Sequence, residues 1–98
     1  MGEVLPGKYI YKSEDPATKA SDHNFDLLTL RTDGTYDFVQ GGTTKSRTET
    51  VGSWKIWDDG SQGPQLLLGR ASYPIQIRGN EVRLLVDNDV GIWLAKAN

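Results

Sequence analysis

The side chains of this chain that could do chemistry are few and poorly grouped. His23, its one histidine, lies in Ser21-Asp22-His23-Asn24-Phe25-Asp26, where a flanking carboxylate could orient the imidazole or share a metal with it. A single histidine with no second histidine or cysteine is a poor zinc set, so a solvated loop histidine is expected. Asp87-Asn88-Asp89-Val90-Gly91 gathers hard oxygen ligands near a glycine, but it lacks the loop length, closing glutamate and flanking helices of an EF-hand. Asx residues stabilising a hairpin turn account for it, and for Asp58-Asp59-Gly60. There is no Gly-x-Ser-x-Gly elbow, no P-loop and no His-Glu-x-x-His. Cysteine is absent, which excludes a thiolate nucleophile and a disulfide framework. Neighbouring carboxylates fall in turns, where water keeps them ionised. No catalytic residue, metal site or cofactor is expected, and the chain reads as a protein that is not an enzyme.

The aromatic residues carry more information. Tyr9, Tyr36, Phe38, Trp54 and Tyr73 all fall on strand faces expected to point inward. They are the candidate ligand-binding residues, able to line a pocket for a small apolar or amphipathic ligand. The same side chains could instead fill a small barrel. Strands of about six residues span roughly 20 Å, which favours a largely filled interior. Val39, Trp57 and Trp93 lie off the clear alternation and are candidates for an exposed rim, a homo-oligomer contact or a protein partner.

The elements that must position these groups are strands. Apolar residues alternate with period two, not 3.6. Leu28 and Leu30 alternate with Thr29 and Arg31, and Tyr36 and Phe38 with Asp37 and Val39; Gly52, Trp54 and Ile56 share one face. Between the first two runs, Thr32-Asp33-Gly34-Thr35 supplies the positive φ of a tight hairpin. The pattern predicts eight strands, near Lys8–Lys12, Phe25–Arg31, Thr35–Gln40, Thr48–Trp57, Gln65–Arg70, Tyr73–Arg78, Glu81–Val86 and Gly91–Lys96. The expected inward set is Tyr9, Leu28, Leu30, Tyr36, Phe38, Trp54, Ile56, Ile75, Ile77, Leu84 and Leu94. Ser13–Asn24 is the longest connection, with caps for one helical turn at Ser13-Glu14-Asp15-Pro16. Gly41–Thr50 has no large apolar residue yet is rich in threonine; it is expected to form the polar end of a projecting hairpin, or a flexible loop. One all-β domain over 1–98 results: a first strand near 8–12, a loop over 13–24 and a hairpin meander over 25–96. An up-and-down barrel of eight strands best removes exposed edges.

Leu5-Pro6-Gly7-Lys8-Tyr9 resembles the Gly-x-Trp opening of lipocalin-like (calycin) barrels, with tyrosine for tryptophan. Leu28-Thr29-Leu30 through Asp33-Gly34-Thr35-Tyr36, followed by Gly52-Ser53-Trp54, is similar to small bacterial lipocalin-like domains, among them the N-terminal barrel of NlpE-type envelope lipoproteins. The resemblance implies an eight-stranded barrel and non-enzymatic binding in or at its mouth. The Cys-x-x-Cys of the NlpE-type domains has no counterpart in Ser13–Asn24, so no metal or redox role carries over. Lys96 is the nearest match for the last-strand arginine that packs over the opening aromatic.

Eleven basic and 13 acidic residues give a net charge of -2. That balance argues against a groove that tracks phosphates, and no nucleic-acid partner is expected. No apolar run approaches the length of a membrane-spanning helix. No signal peptide opens the chain, which as written suits the cytoplasm; one preceding it would place it in the envelope or outside the cell.

Overall fold

The computed structural model describes residues 4–14, 25–43, 46–58, 60–61, 63–87 and 91–97. They form a closed antiparallel barrel in which each strand pairs with its sequence neighbours and β1 pairs with β8. The strands are β1 (Gly7–Ser13), β2 (Leu27–Leu30), β3 (Thr35–Gln40), β4 (Thr48–Trp57), β5 (Gln65–Leu68), β6 (Ala71–Arg78), β7 (Glu81–Asp87) and β8 (Ile92–Ala97). No helix occurs among the described residues, and none is long and apolar enough to cross a membrane. The up-and-down, eight-stranded expectation is met.

Period-two alternation becomes inside and outside. Tyr9, Leu28, Leu30, Tyr36, Phe38, Leu66, Leu68, Val82, Leu84 and Leu94 are buried together, with Tyr11, Trp54, Ile56, Tyr73 and Ile75 packed against them. The expected inward set needs one correction. Ile77 is 44 % exposed; it shares the parity of Ile75, but it is the penultimate residue of β6 and lies past the last β5 pair, Gln65 opposite Pro74. Leu5 is a core residue outside any strand, and Asp26 is a buried carboxylate whose Oδ1 accepts from the Gly41 amide at 2.7 Å.

Two turns differ from expectation. β5 stops at Leu68 instead of Arg70, because Gly69 takes φ +60° and reverses the chain into Ala71. At the β2–β3 hairpin the positive φ belongs to Gly34 alone, the Arg31 carbonyl accepts from the Gly34 amide at 3.1 Å, and Asp33 accepts from both the amide and the hydroxyl of Thr35. This is a type I turn closed by a left-handed glycine. Those Thr35 bonds hold the Asp33 carboxyl below the usual range.

The wall has two corners. Thr48–Ser53 of β4 pairs with β3, and Trp54–Trp57 with β5. Likewise Ala71–Pro74 of β6 pairs with β5, and Ile75–Arg78 with β7. Every residue from Thr48 to Ser53 is exposed, although this half of β4 ladders with β3 along its whole length; of the expected polar hairpin over Gly41–Thr50, Thr48–Thr50 are strand and residues 41–43 and 46–47 are not. Residues 44 and 45 at its tip, and the candidate helical turn in Ser13–Asn24 beyond Glu14, lie outside the described residues.

One end of the barrel is plugged by the chain that enters it. Tyr9 donates its hydroxyl to the Leu5 carbonyl at 2.6 Å, and Lys96 Nζ donates to the Val4 carbonyl at 2.6 Å. The Lys96 chain lies over Gly7, where a side-chain carbon would come within 2.8 Å of its Cε. Burial pushes the Tyr9 phenol pKa up to about 12, because the phenolate would lose water and gain no cation.

Candidate functional site

The barrel does not gather its five candidate ligand residues in one place. Tyr9 is fully buried at the plugged end, and Phe38 is buried opposite Leu28. Tyr36 lies near both Gly69 and Tyr73, and Trp54 borders the groove that Gly69 lines, beside the β4 corner. The Tyr36 hydroxyl comes within 3.8 Å of where a side-chain carbon on Gly69 would stand. Burial, and to a lesser degree the neighbouring Tyr36 phenol, raise the Tyr73 pKa. Gly52 is small for a reason, since a side-chain carbon there would sit 3.0 Å from Tyr36 Cε1.

Beside this cluster is a shallow groove of about 270 Å³, bounded by Ser53, Trp54, Lys55, Leu67 and Gly69. It exists because β5 turns at Gly69 while β4 runs on past it. Trp54 is fixed in place: its indole N–H donates to the Arg31 carbonyl at 2.9 Å and its backbone N–H to the Gly34 carbonyl at 2.8 Å. The indole and Leu67 give the groove apolar walls, and the exposed Lys55 sets a cation at its edge. Such a surface suits an apolar body carrying an anionic head.

A second groove, which sequence reasoning missed, lies on the outer face of β6, β7 and β8. Its volume is about 180 Å³, and its lining includes Glu14, Arg78, Arg83, Leu85 and Trp93. The Arg83 guanidinium stacks over the Trp93 ring at 4.4 Å and donates to both Glu81 oxygens. The Trp93 indole nitrogen is buried without a hydrogen-bond partner. A signal was present, because Arg83 and Trp93 have the opposite parity to the inward Leu84 and Leu94. What the pattern does not contain is the register that brings Arg83 diagonally onto the ring.

The remaining candidates fall away or lie elsewhere. Asp22 and His23 are outside the described residues, as are Asn88, Asp89 and Val90. Asp58 accepts from the Gly60 amide at 2.8 Å, the Asx turn expected of it. Among the described residues no three His, Cys, Asp or Glu side chains gather as a metal set. Trp57 is half exposed, whereas Val39 and Trp93 are half-buried.

No family model matches the chain, and no solved structure matches it. A 61-residue stretch, 62% of the chain, is 34% identical to part of the genome polyprotein of bovine viral diarrhea virus (strain SD-1). The match spans 2% of the length of that polyprotein.

Proposed function

We propose that this protein is a non-enzymatic, lipocalin-like binding module that takes a small amphipathic anion at the groove beside Trp54, not in its lumen. The observation that carries this reading is the contrast between the two places. Tyr9, Leu28, Leu66 and Leu84 are fully buried in the barrel, while Trp54, Leu67 and Lys55 border open space at the β4 corner. The plugged end supports the lipocalin-like part of the reading. Lys96 on the last strand, opposite Tyr9 in register, clasps the entering chain where such barrels place an arginine. The test is displacement of an anionic naphthalene dye by medium-chain fatty acids. Saturable displacement, weakened several-fold in Lys55→Glu, is expected. No displacement, or displacement indifferent to Lys55→Glu, overturns the reading.

A second reading, a filled barrel that binds protein, has its own observation. The Trp54 amide points to β3, so by alternation the backbone groups of Glu49, Val51 and Ser53 face the other edge, where no strand among the described residues ladders with them. Val51 is 65 % exposed on this edge. Edges of this kind accept an added strand. Concentration-dependent light scattering tests it: self-association abolished by Val51→Pro, which removes one edge N–H, supports strand addition, and a strict monomer that recovers no partner removes it.

A further inference from the structure

We propose that the outer groove at Trp93 is a second binding site, for a small carboxylate whose other end carries a hydrogen-bond donor, in the manner of an amino acid or a hydroxy acid. Three of the residues that line the groove carry N–H groups without an acceptor. The Trp93 indole N–H is buried without one, a state that costs free energy unless something supplies an oxygen. Arg83 spends its Nε and Nη2 on Glu81 and its face on the Trp93 ring, which leaves N–H groups unused on a guanidinium already locked in position. Arg78 stands opposite Glu81 in the β6–β7 register, yet both Glu81 oxygens accept from Arg83; among the described residues Arg78 has no ion pair. Two arginines and an indole N–H around one small space suit the planar, two-oxygen shape of a carboxylate.

Glu14 settles the other half of the ligand. Its backbone N–H is tied to the Gly91 carbonyl at 2.9 Å, and its side chain lies against Gly91 at the groove's edge. A carboxylate there repels a second negative charge and accepts from an ammonium or hydroxyl. The site therefore selects against dicarboxylates and bare inorganic anions. Leu85 and the Trp93 ring form the apolar part of the lining. A volume of about 180 Å³ holds roughly six waters' worth of ligand at ~30 Å³ each, the size of an amino acid. The irregular register between Leu85 and Asp87 sits beside the groove, at a kind of strand fault that often re-aims side chains next to binding sites.

The experiment reads the indole N–H directly. The chain has three tryptophans, so a proton–nitrogen correlation spectrum holds three indole signals, and Trp93→Phe identifies the one that belongs to Trp93. The probes are free amino acids and simple hydroxy acids, their methyl esters, succinate and inorganic phosphate. A saturable shift of the Trp93 signal with the acids, weakened about tenfold or more in Arg78→Ala, is expected. Glu14→Gln should weaken amino acids selectively and improve succinate. Arg78 is exposed, so Arg78→Ala keeps the fold, verified by unchanged backbone signals; Arg70→Ala, away from the groove, should leave affinity as it was. The proposal is overturned by no saturable shift into the high millimolar range, by esters or phosphate acting as well as the acids, or by an affinity indifferent to Arg78→Ala.

Discussion

Trp54 and Trp93 are both half-buried on strands of one barrel, and they differ in what their N–H groups do. Trp54 packs against the core and gives its indole proton to the Arg31 carbonyl at 2.9 Å. Trp93 packs on the outside, under Arg83, with its indole proton given to nothing. On the core side, Tyr9 donates to Leu5, Trp54 to Arg31, and Asp26 accepts from Gly41. A buried polar group that is satisfied holds the fold in one arrangement. One that is left unsatisfied outside the core lowers stability, so the two tryptophans differ by the partners of their N–H groups and not by their burial.

The largest effect that tests this division is truncation. Trp54→Ala should cost about 3–5 kcal/mol, because it empties core-facing volume and removes one of the two donors to the Arg31 carbonyl. Against a total stability on the order of 5–10 kcal/mol, that leaves the variant barely folded at body temperature. Trp93→Ala should cost about 1–2 kcal/mol, since it uncovers apolar surface of β7 and β8 but opens no interior cavity. Urea unfolding of the pair decides it. Equal losses would mean that the two sites are not different in kind.

Alkaline titration probes the closed end. Below pH 10 the Tyr9 phenol is protonated in both the folded and unfolded chain, and its contribution is fully present. Above pH 10 the unfolded chain begins to release the proton that the folded phenol keeps until about pH 12. The unfolded state then binds fewer protons, so stability falls as pH rises, at about 1.4 kcal/mol per pH unit. The total loss, on the order of 2 kcal/mol, is complete once the pH has passed the folded value. Tyr73 adds in the same direction. Tyr9→Phe should lose about 1 kcal/mol at neutral pH, through the missing bond to Leu5, and then lose much less between pH 10 and 12. An unchanged alkaline slope in that variant would assign the effect to another group.

Conservative replacement isolates the N–H groups themselves. Trp54→Phe should cost about 1–3 kcal/mol, because the Arg31 carbonyl keeps only its Gly34 donor and the smaller ring leaves space. Trp93→Phe should fall within about 0.5 kcal/mol of wild type or exceed it, because a buried donor without a partner disappears. Chemical denaturation of both variants reads the difference. A Trp93→Phe loss as large as that of Trp54→Phe would place a hidden acceptor beside the Trp93 indole.

The barrel was legible because its evidence is local. Alternation at Leu28-Thr29-Leu30 and Tyr36-Asp37-Phe38, with a glycine at each reversal after β2, assigns strand, face and hairpin within a few residues. What escaped depends on how far neighbouring strands overlap. Ile77 has inward parity but lies past the end of the β5 ladder, with β7 alone beside it. Thr48–Ser53 looks like ordinary strand, yet it has a partner on one side, because β5 turns back at Gly69. Leu5 precedes the alternation, and Asp26 is polar, so neither has the signature of a core residue. The inner aromatics were found as a set, but their division between the plug, the core and the β4 corner follows from strand stagger. The Trp93 groove joins β1, β6, β7 and β8, and parity can place its side chains outside without saying that they meet.

The smallest predicted effect checks the parity on which all of these comparisons rest. Ser53 and Lys55 flank Trp54 in β4, and both are exposed while Trp54 and Ile56 are half-buried against the core. In a strand, successive side chains leave opposite faces of the sheet, so the neighbours of an inward residue must face water. Ser53→Ala removes a solvated hydroxyl, and Lys55→Ala a solvated ammonium that forms no ion pair among the described residues. Neither opens a cavity or orphans a buried partner. Each should therefore move stability by less than about 0.5 kcal/mol in the urea experiment that reads Trp54→Ala. A slip of one residue in the register of β4 would exchange the two faces and make Lys55→Ala the damaging substitution. A loss at Lys55 comparable to that at Trp54 would thus reverse the β4 face and detach Trp54 from the core. With the flat response expected, the large Trp54 loss belongs to the inner face alone, and the groove at Lys55 stays free to change without cost to the fold.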